Sequence, residues 1–237
     1  VSAIQLPLPL YQRTEQRLDD FVATTPELLP QLHAIATGHS QDGFYLYGPS
    51  GTGKTYLAQA LCAAAQQAGQ AAAGLSLPAA VGRLDQALQV LHGCTVVALD
   101  GLEAIAGHIE DETALFHFHN HARATNVALL YSARLSPNEL TLALPDLRSR
   151  LAQCIHLPLQ VLDQAQCRQV LRRRAQRNGL ILEEAAMEWM LTHHHHDLPS
   201  LLALLERLNQ ESWIAQRRIT LPFLKQVLRF KPSFTVQ

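Results

Sequence analysis

Eight consecutive residues, Gly48-Pro49-Ser50-Gly51-Thr52-Gly53-Lys54-Thr55, carry the strongest chemical signal in the sequence. Glycines at this spacing let the backbone curl until successive N–H groups converge on one anion, and a helix beginning at the end of the run adds partial positive charge. Lys54 then supplies a compact ammonium for the outer phosphates of a nucleotide, and the Thr55 hydroxyl supplies an oxygen for Mg2+. Lys54 is singular in this chain: of 19 basic residues only Lys54, Lys225 and Lys231 are lysines. A point charge stands here in a chain that elsewhere prefers the planar guanidinium. Further on, Thr95-Val96-Val97-Ala98-Leu99-Asp100 is an apolar run that closes on a carboxylate. Asp100 is suited to hold Mg2+ through water at the carboxyl end of a strand, the edge where open parallel sheets bind ligands.

These residues need a frame. Short apolar runs predict strands near 43–47, 71–77, 94–99, 127–132 and 154–157, interleaved with helices near 54–68, 80–91, 111–125 and around 138–150. Such alternation implies a parallel five-stranded sheet with helices on both faces. Past Pro158 the strand signal stops. Helical patterns follow at 163–178, 183–192, 198–216 and 221–229, with Asp163 and Gln166 spaced as a capping box, Asn178-Gly179 as a stop, and Leu198, Leu201, Leu202, Leu205 and Leu208 on one apolar face. The expected organisation is an extended arm at 1–20, an α/β nucleotide-binding domain at 21–160 that begins near Phe21, and a small all-α lid at 161–237.

Composition narrows the classes. With 237 residues and 48% apolar content the chain has material for one large and one small core. A net charge of -1 disfavours a surface that neutralises many phosphates. Its only dense basic cluster, Arg172, Arg173, Arg174 and Arg177, reads as the C-terminal half of a solvated helix, where cations complement the macrodipole. Cys62, Cys94, Cys154 and Cys167 match no zinc or disulfide spacing and read as buried thiols in a reducing compartment. Val1-Ser2-Ala3-Ile4 opens no signal peptide, and no apolar run is long enough to span a bilayer, so the expectation is a cytoplasmic protein without a membrane partner.

Taken together, the chain resembles the AAA+ family and, within it, the Hda-type regulators related to the replication initiator DnaA. The resemblance rests on the octad, the arm Gln5-Leu6-Pro7-Leu8-Pro9-Leu10, Leu99 to Gly107, Leu144-Pro145-Asp146-Leu147-Arg148-Ser149-Arg150-Leu151, and Gln216 to Phe223. It implies an ATP or ADP cofactor with Mg2+, and DnaA and the DNA polymerase III sliding clamp as partners. It also implies that Gln5, Leu6, Leu8, Pro9 and Leu10 dock on the clamp, and that Arg150 acts as an arginine finger on a neighbour's ATP. A pre-extended Leu/Pro arm suits an apolar groove because little entropy is lost on docking, and six residues reach roughly 20 Å. An initiator would continue into a helix-turn-helix domain. None follows the lid before Gln237, so a dedicated DNA-binding domain is not expected; a homo-oligomer is left open.

Three departures bear on turnover. The acidic residue usual after the magnesium Asp is replaced by Gly101, with Glu103 two positions on. Arg134, in Ser132-Ala133-Arg134, stands where an acidic sensor is expected, and Asp197-Leu198-Pro199-Ser200-Leu201 lacks the lid arginine, with Pro199 in its place. Weak or absent intrinsic hydrolysis follows, and with it a regulator that activates ATP hydrolysis in a partner. The alternative is a stand-alone ATPase such as a helicase loader. His193-His194-His195-His196 reads as a solvated linker, His117, His119 and His121 as side chains pointing to different sides of one helix, and Trp189 and Trp213 as core.

Overall fold

The computed structural model describes residues 16–193, 197–215 and 218–229. Gln5, Leu6, Leu8, Pro9 and Leu10 of the arm, His194 to His196, and Gln216 and Arg217 lie outside the described residues. The chain divides into two compact units between Gln160 and Val161. Among the described residues no helix is long and apolar enough to cross a membrane.

In the first unit β1 (Gly43–Tyr47), β2 (Ala72–Ser76), β3 (Val96–Asp100), β4 (Ala128–Ala133) and β5 (Ile155–Pro158) form a parallel sheet in the order β2-β3-β4-β1-β5. Successive side chains of a strand face opposite ways, and a parallel sheet buries both faces, so the strands are apolar without interruption. Phe44, Leu46, Val96, Ala98 and Leu130 pack with Leu32 and Ile35 of α1 (Leu28–Ala36) and Leu57 and Leu61 of α2 (Lys54–Gln67). Tyr45, Val97, Leu99, Leu129 and Tyr131 face the other way. They meet Leu84 and Leu88 of α3 (Leu84–Gln89), Leu115 of α4 (Ile109–Ala124), and Leu147 and Leu151 of α5 (Pro145–Ala152). Each fully buried leucine contributes about 1.5–3 kcal/mol.

Three local expectations are corrected. The helix expected around 138–150 starts only at Pro145, which takes a first-turn position where its missing N–H costs nothing. The helix expected over 80–91 is reduced to Leu84–Gln89, behind a 3-10 turn at Leu77–Ala79. The packed residues also reach back before Phe21: Leu18 is buried and opens a 3-10 turn at Leu18–Asp20, which the sequence assigned to the arm.

The second unit packs α6 (Gln164–Arg177), α7 (Glu184–His193), α8 (Leu198–Ala215) and α9 (Leu221–Arg229) around Leu171, Met187, Met190, Leu205, Leu208 and Leu224. Asp163 and Gln166 form the reciprocal cap, at 2.7 and 2.9 Å. Arg172 and Arg173 are exposed, and Arg172 pairs with Glu184 at 2.7 Å, while Arg168 pairs with Glu184 and Glu188. Trp189 stacks on His193 at a 5.1 Å centroid distance. Cys62 and Cys167 are buried, but Cys94 and Cys154 are only partly so; all four are free. Cys62 and Cys167 lie on helices, whereas Cys94 and Cys154 lie in the connections that lead into β3 and β5.

Candidate phosphate-loop site

The order of the sheet sets the carboxyl ends of β3, β4 and β1 side by side. The loop leaves β1, and α2 begins at Lys54 with no side chain capping its first turn, which leaves its N–H groups for an anion. Gly53 has φ +90, and a Cβ there would lie 2.7 Å from the Phe21 ring, so only glycine fits. The Thr52 hydroxyl donates to the Pro49 carbonyl at 3.0 Å. Lys54 Nζ donates to the Gly48 and Pro49 carbonyls, each at 2.7 Å. Burial pushes the Lys54 ammonium below its usual range, opposed by Glu103 and Asp100 and reinforced by Arg134. Its present partners are neutral carbonyls, which a phosphate oxygen outbids as a charged acceptor.

Asp100 is the other half. Thr55 Oγ1 donates to its Oδ2 at 2.7 Å, and the hydroxyl of buried Ser132 donates to its Oδ1. Ser132 is the register partner of Asp100 across β3 and β4. Its hydroxyl in turn accepts from the Gly101 N–H at 3.2 Å. Sequence reasoning placed Ser132 beside the sensor position without giving it this contact; the register of two strands made it, and no spacing in the sequence reports that register. Arg134 leaves the end of β4 and pairs with Glu103, Nε to Oε1, at 2.9 Å.

Two further features escaped the sequence. The Tyr56 hydroxyl donates to the Arg17 carbonyl at 2.9 Å, and Phe21 stacks with Tyr56 at 6.0 Å, so the segment entering the globule runs along the phosphate loop. Glu112, fully buried on α4, accepts from the N–H groups of Gly107, Ala143 and Leu144 at 2.7, 3.0 and 2.6 Å. It thereby ties the turn after Asp100 to the entrance of α5. On α5, Arg148 donates back to the Leu142 carbonyl at 2.6 Å. The half-buried Arg150 side chain has no hydrogen bond or ion pair among the described residues. Below it His119 meets the Tyr131 hydroxyl at 2.8 Å; burial, then Arg123 and Arg150, push its imidazole down to about 4. In the second unit, Pro199 sits exposed in the first turn of α8, whose start Asp197 caps through the Ser200 N–H at 2.9 Å.

Known proteins share this plan. A family model described as the AAA ATPase family associated with various cellular activities matches residues 44–159, and one described as the Hda lid domain matches residues 163–228. An uncharacterized protein of Haemophilus influenzae is 32% identical over 226 residues, covering 94% of this chain and 98% of that one. The chain belongs to the Hda-like AAA+ proteins. Among solved structures, domain III of the Thermotoga maritima replication initiation protein DnaA superposes on this Hda-like protein with a TM-score of 0.75 at 18% identity. It covers 94% of this chain and 98% of that one. AMPPCP-bound DnaA from Aquifex aeolicus gives 0.70 at 16% identity, over 91% and 70%. The Thermotoga maritima RuvB branch migration motor gives 0.65 at 21% identity, over 92% and 72%. At these identities the structural likeness establishes the fold of the Hda-like chain, an AAA+ core followed by a helical lid.

Proposed function

We propose that this Hda-like protein binds ATP or ADP with Mg2+ in the loop from Gly48 to Thr55 and acts as a regulator of replication initiation. Tethered to the DNA polymerase III sliding clamp by Gln5, Leu6, Leu8, Pro9 and Leu10, it promotes hydrolysis of DnaA-bound ATP. The observation that carries the reading is a division between two places. Lys54, Thr55 and Asp100, which load a nucleotide, converge at one sheet edge. The position of a water-orienting acid holds Gly101 instead, and Arg150 stands on α5 with no hydrogen bond or ion pair of its side chain among the described residues. Such a molecule holds nucleotide for itself and offers a cation to another site.

Gly48, Pro49, Ser50, Gly51, Thr52 and Gly53 wrap the phosphates with backbone N–H groups, and Lys54 neutralises the outer ones. Thr55 and Asp100 already bring two oxygens together at 2.7 Å, a donor set that suits a hard cation taking oxygen ligands and retaining waters. Mg2+ bound there would offset charge on the outer phosphates. Arg150, in trans, stabilises the charge that develops on the γ-phosphoryl group of DnaA-bound ATP. DnaA of known structure has been seen with AMPPCP, in keeping with the nucleotide part of this reading.

The decisive assay is ATP turnover by DnaA with and without this protein and DNA-loaded clamp. Turnover is expected to rise only when all three are present. Turnover by this protein alone, at a rate indifferent to DnaA, would instead establish the stand-alone ATPase.

A further inference from the structure

The Arg134–Glu103 pair stands beside the phosphate loop and has no part in the reading above. Backbone geometry explains how Glu103 comes to be there. Gly101 has φ +89, and a Cβ on it would lie 2.9 Å from Pro78 Cδ, so no side chain fits directly after Asp100. The 3-10 turn Leu102–Ala104 follows at once and carries the next carboxylate back to the end of β4. There Glu103 accepts from the Arg134 N–H at 3.2 Å and from its Nε at 2.9 Å. The preceding residue, Ala133, accepts from the N–H of Gly48, the first residue of the loop, at 3.3 Å. The guanidinium therefore emerges next to the cradle. Lys54 feels Glu103 more strongly than Asp100 and also feels Arg134, so the pair lies within the field of the ammonium. The Arg134 side chain is 63% exposed and that of Glu103 only 23%, which leaves the cation free to swing while the carboxylate stays.

We propose that Glu103 is an internal competitor for the terminal phosphate of a bound nucleotide. Its carboxylate occupies Arg134 until the γ-phosphoryl group of a triphosphate displaces it, and the pair so sets the preference between tri- and diphosphate. A guanidinium fork exchanges one planar or trigonal oxyanion for another without rearranging its own geometry, and a phosphate bearing more charge than a carboxylate is the stronger partner. A diphosphate presents no third phosphoryl group to make the exchange. The inference rests on the nucleotide reading of the loop and adds to it a residue pair that discriminates between ligands.

The test is calorimetric titration of ATP and ADP, with Mg2+, into the wild type, Glu103→Gln, Arg134→Gln, the double variant and Lys54→Ala. Exposed ion pairs contribute little to stability, so the pair variants are expected to melt like the wild type. Glu103→Gln should tighten ATP about fivefold and ADP less than about twofold; Arg134→Gln should weaken ATP about fivefold and leave ADP alone. The double variant should follow Arg134→Gln, because a competitor has no effect once its prize is gone. An ATP-to-ADP affinity ratio in Glu103→Gln equal to that of the wild type overturns the proposal. If Lys54→Ala binds both nucleotides as tightly as the wild type, the fault lies in the nucleotide reading; if Lys54→Ala fails to bind and the ratio alone is unmoved, it lies in the role of Glu103.

Discussion

At the carboxyl edge of the sheet the polar side chains answer one another: Lys54 to two loop carbonyls, Thr55 and Ser132 to Asp100, Arg134 to Glu103. On α5 two arginines of one turn diverge, Arg148 folded back on its own loop and Arg150 without such a contact among the described residues. The difference teaches where each region awaits its partner. Groups held by weak internal contacts are preorganised to trade them for a ligand's stronger ones, at small reorganisation cost. A cation with no hydrogen bond or ion pair among the described residues, on a helix packed by Leu147 and Leu151, suits the proposed role outside the chain.

The largest effect that would break this contrast is expected at Arg150. Arginine fingers are worth about 10³ to 10⁵ in rate in GTPases. Arg150→Ala should therefore abolish stimulation of DnaA-bound ATP hydrolysis with DNA-loaded clamp present, while its binding of nucleotide is unchanged. Arg148→Ala should only weaken stimulation, because its loss loosens the loop before α5 without removing the offered charge. Equal stimulation by Arg150→Ala and wild type would end the contrast between the two arginines.

Next in size is the cradle. Lys54→Ala should weaken adenine nucleotide binding by about 10- to 100-fold, since a charge-assisted contact to phosphate is worth roughly 1.5–3 kcal/mol. Calorimetry at fixed Mg2+ reads this directly, and unchanged affinity would show that the loop edge is not a ligand site.

The smallest effect sharpens the comparison from beneath α5. The His119 imidazole has its proton affinity lowered from an ordinary 6.5 to about 4, chiefly by burial and then by Arg123 and Arg150. The unfolded chain therefore takes up this proton first as pH falls, so the stability it contributes is full above about pH 6.5 and is lost on the way down to about pH 4. Urea unfolding followed from pH 7.5 to pH 4.5 (roughly the span of the two protonation ranges) should show a midpoint that drops less steeply in His119→Phe than in the wild type. Parallel slopes would mean that His119 is not held neutral below Arg150.

Much of this molecule was readable before any coordinates. The octad, the apolar run ending at Asp100 and the change from strand to helix signal after Pro158 mark the candidate site and the element order through local propensity and hydrophobic period. Where the reading slipped, the cause was nonlocal. Residues 138–144 look helical by composition, yet the N–H groups of Ala143 and Leu144 are claimed by Glu112, a residue distant in sequence. Leu18 reads as tail and is core, because α1 and α2 offer it a place to bury. Cys94 and Cys154 sit in apolar stretches and are nonetheless partly exposed.

By itself the sequence singled out the candidate site, since a backbone able to cradle phosphate needs its glycines, its lysine and its hydroxyl contiguous, and contiguity is what a sequence displays. Only the tertiary structure decided which polar groups meet across strands: Ser132 against Asp100 through the register of β3 with β4, and Glu103 against Arg134 through a turn that Pro78 closes to any side chain at Gly101. It also decided which of two arginines on α5 folds back onto its own loop, Arg148 on the Leu142 carbonyl. Those outcomes depend on packing between segments far apart in the chain, where each residue's surroundings are set by elements it does not itself encode.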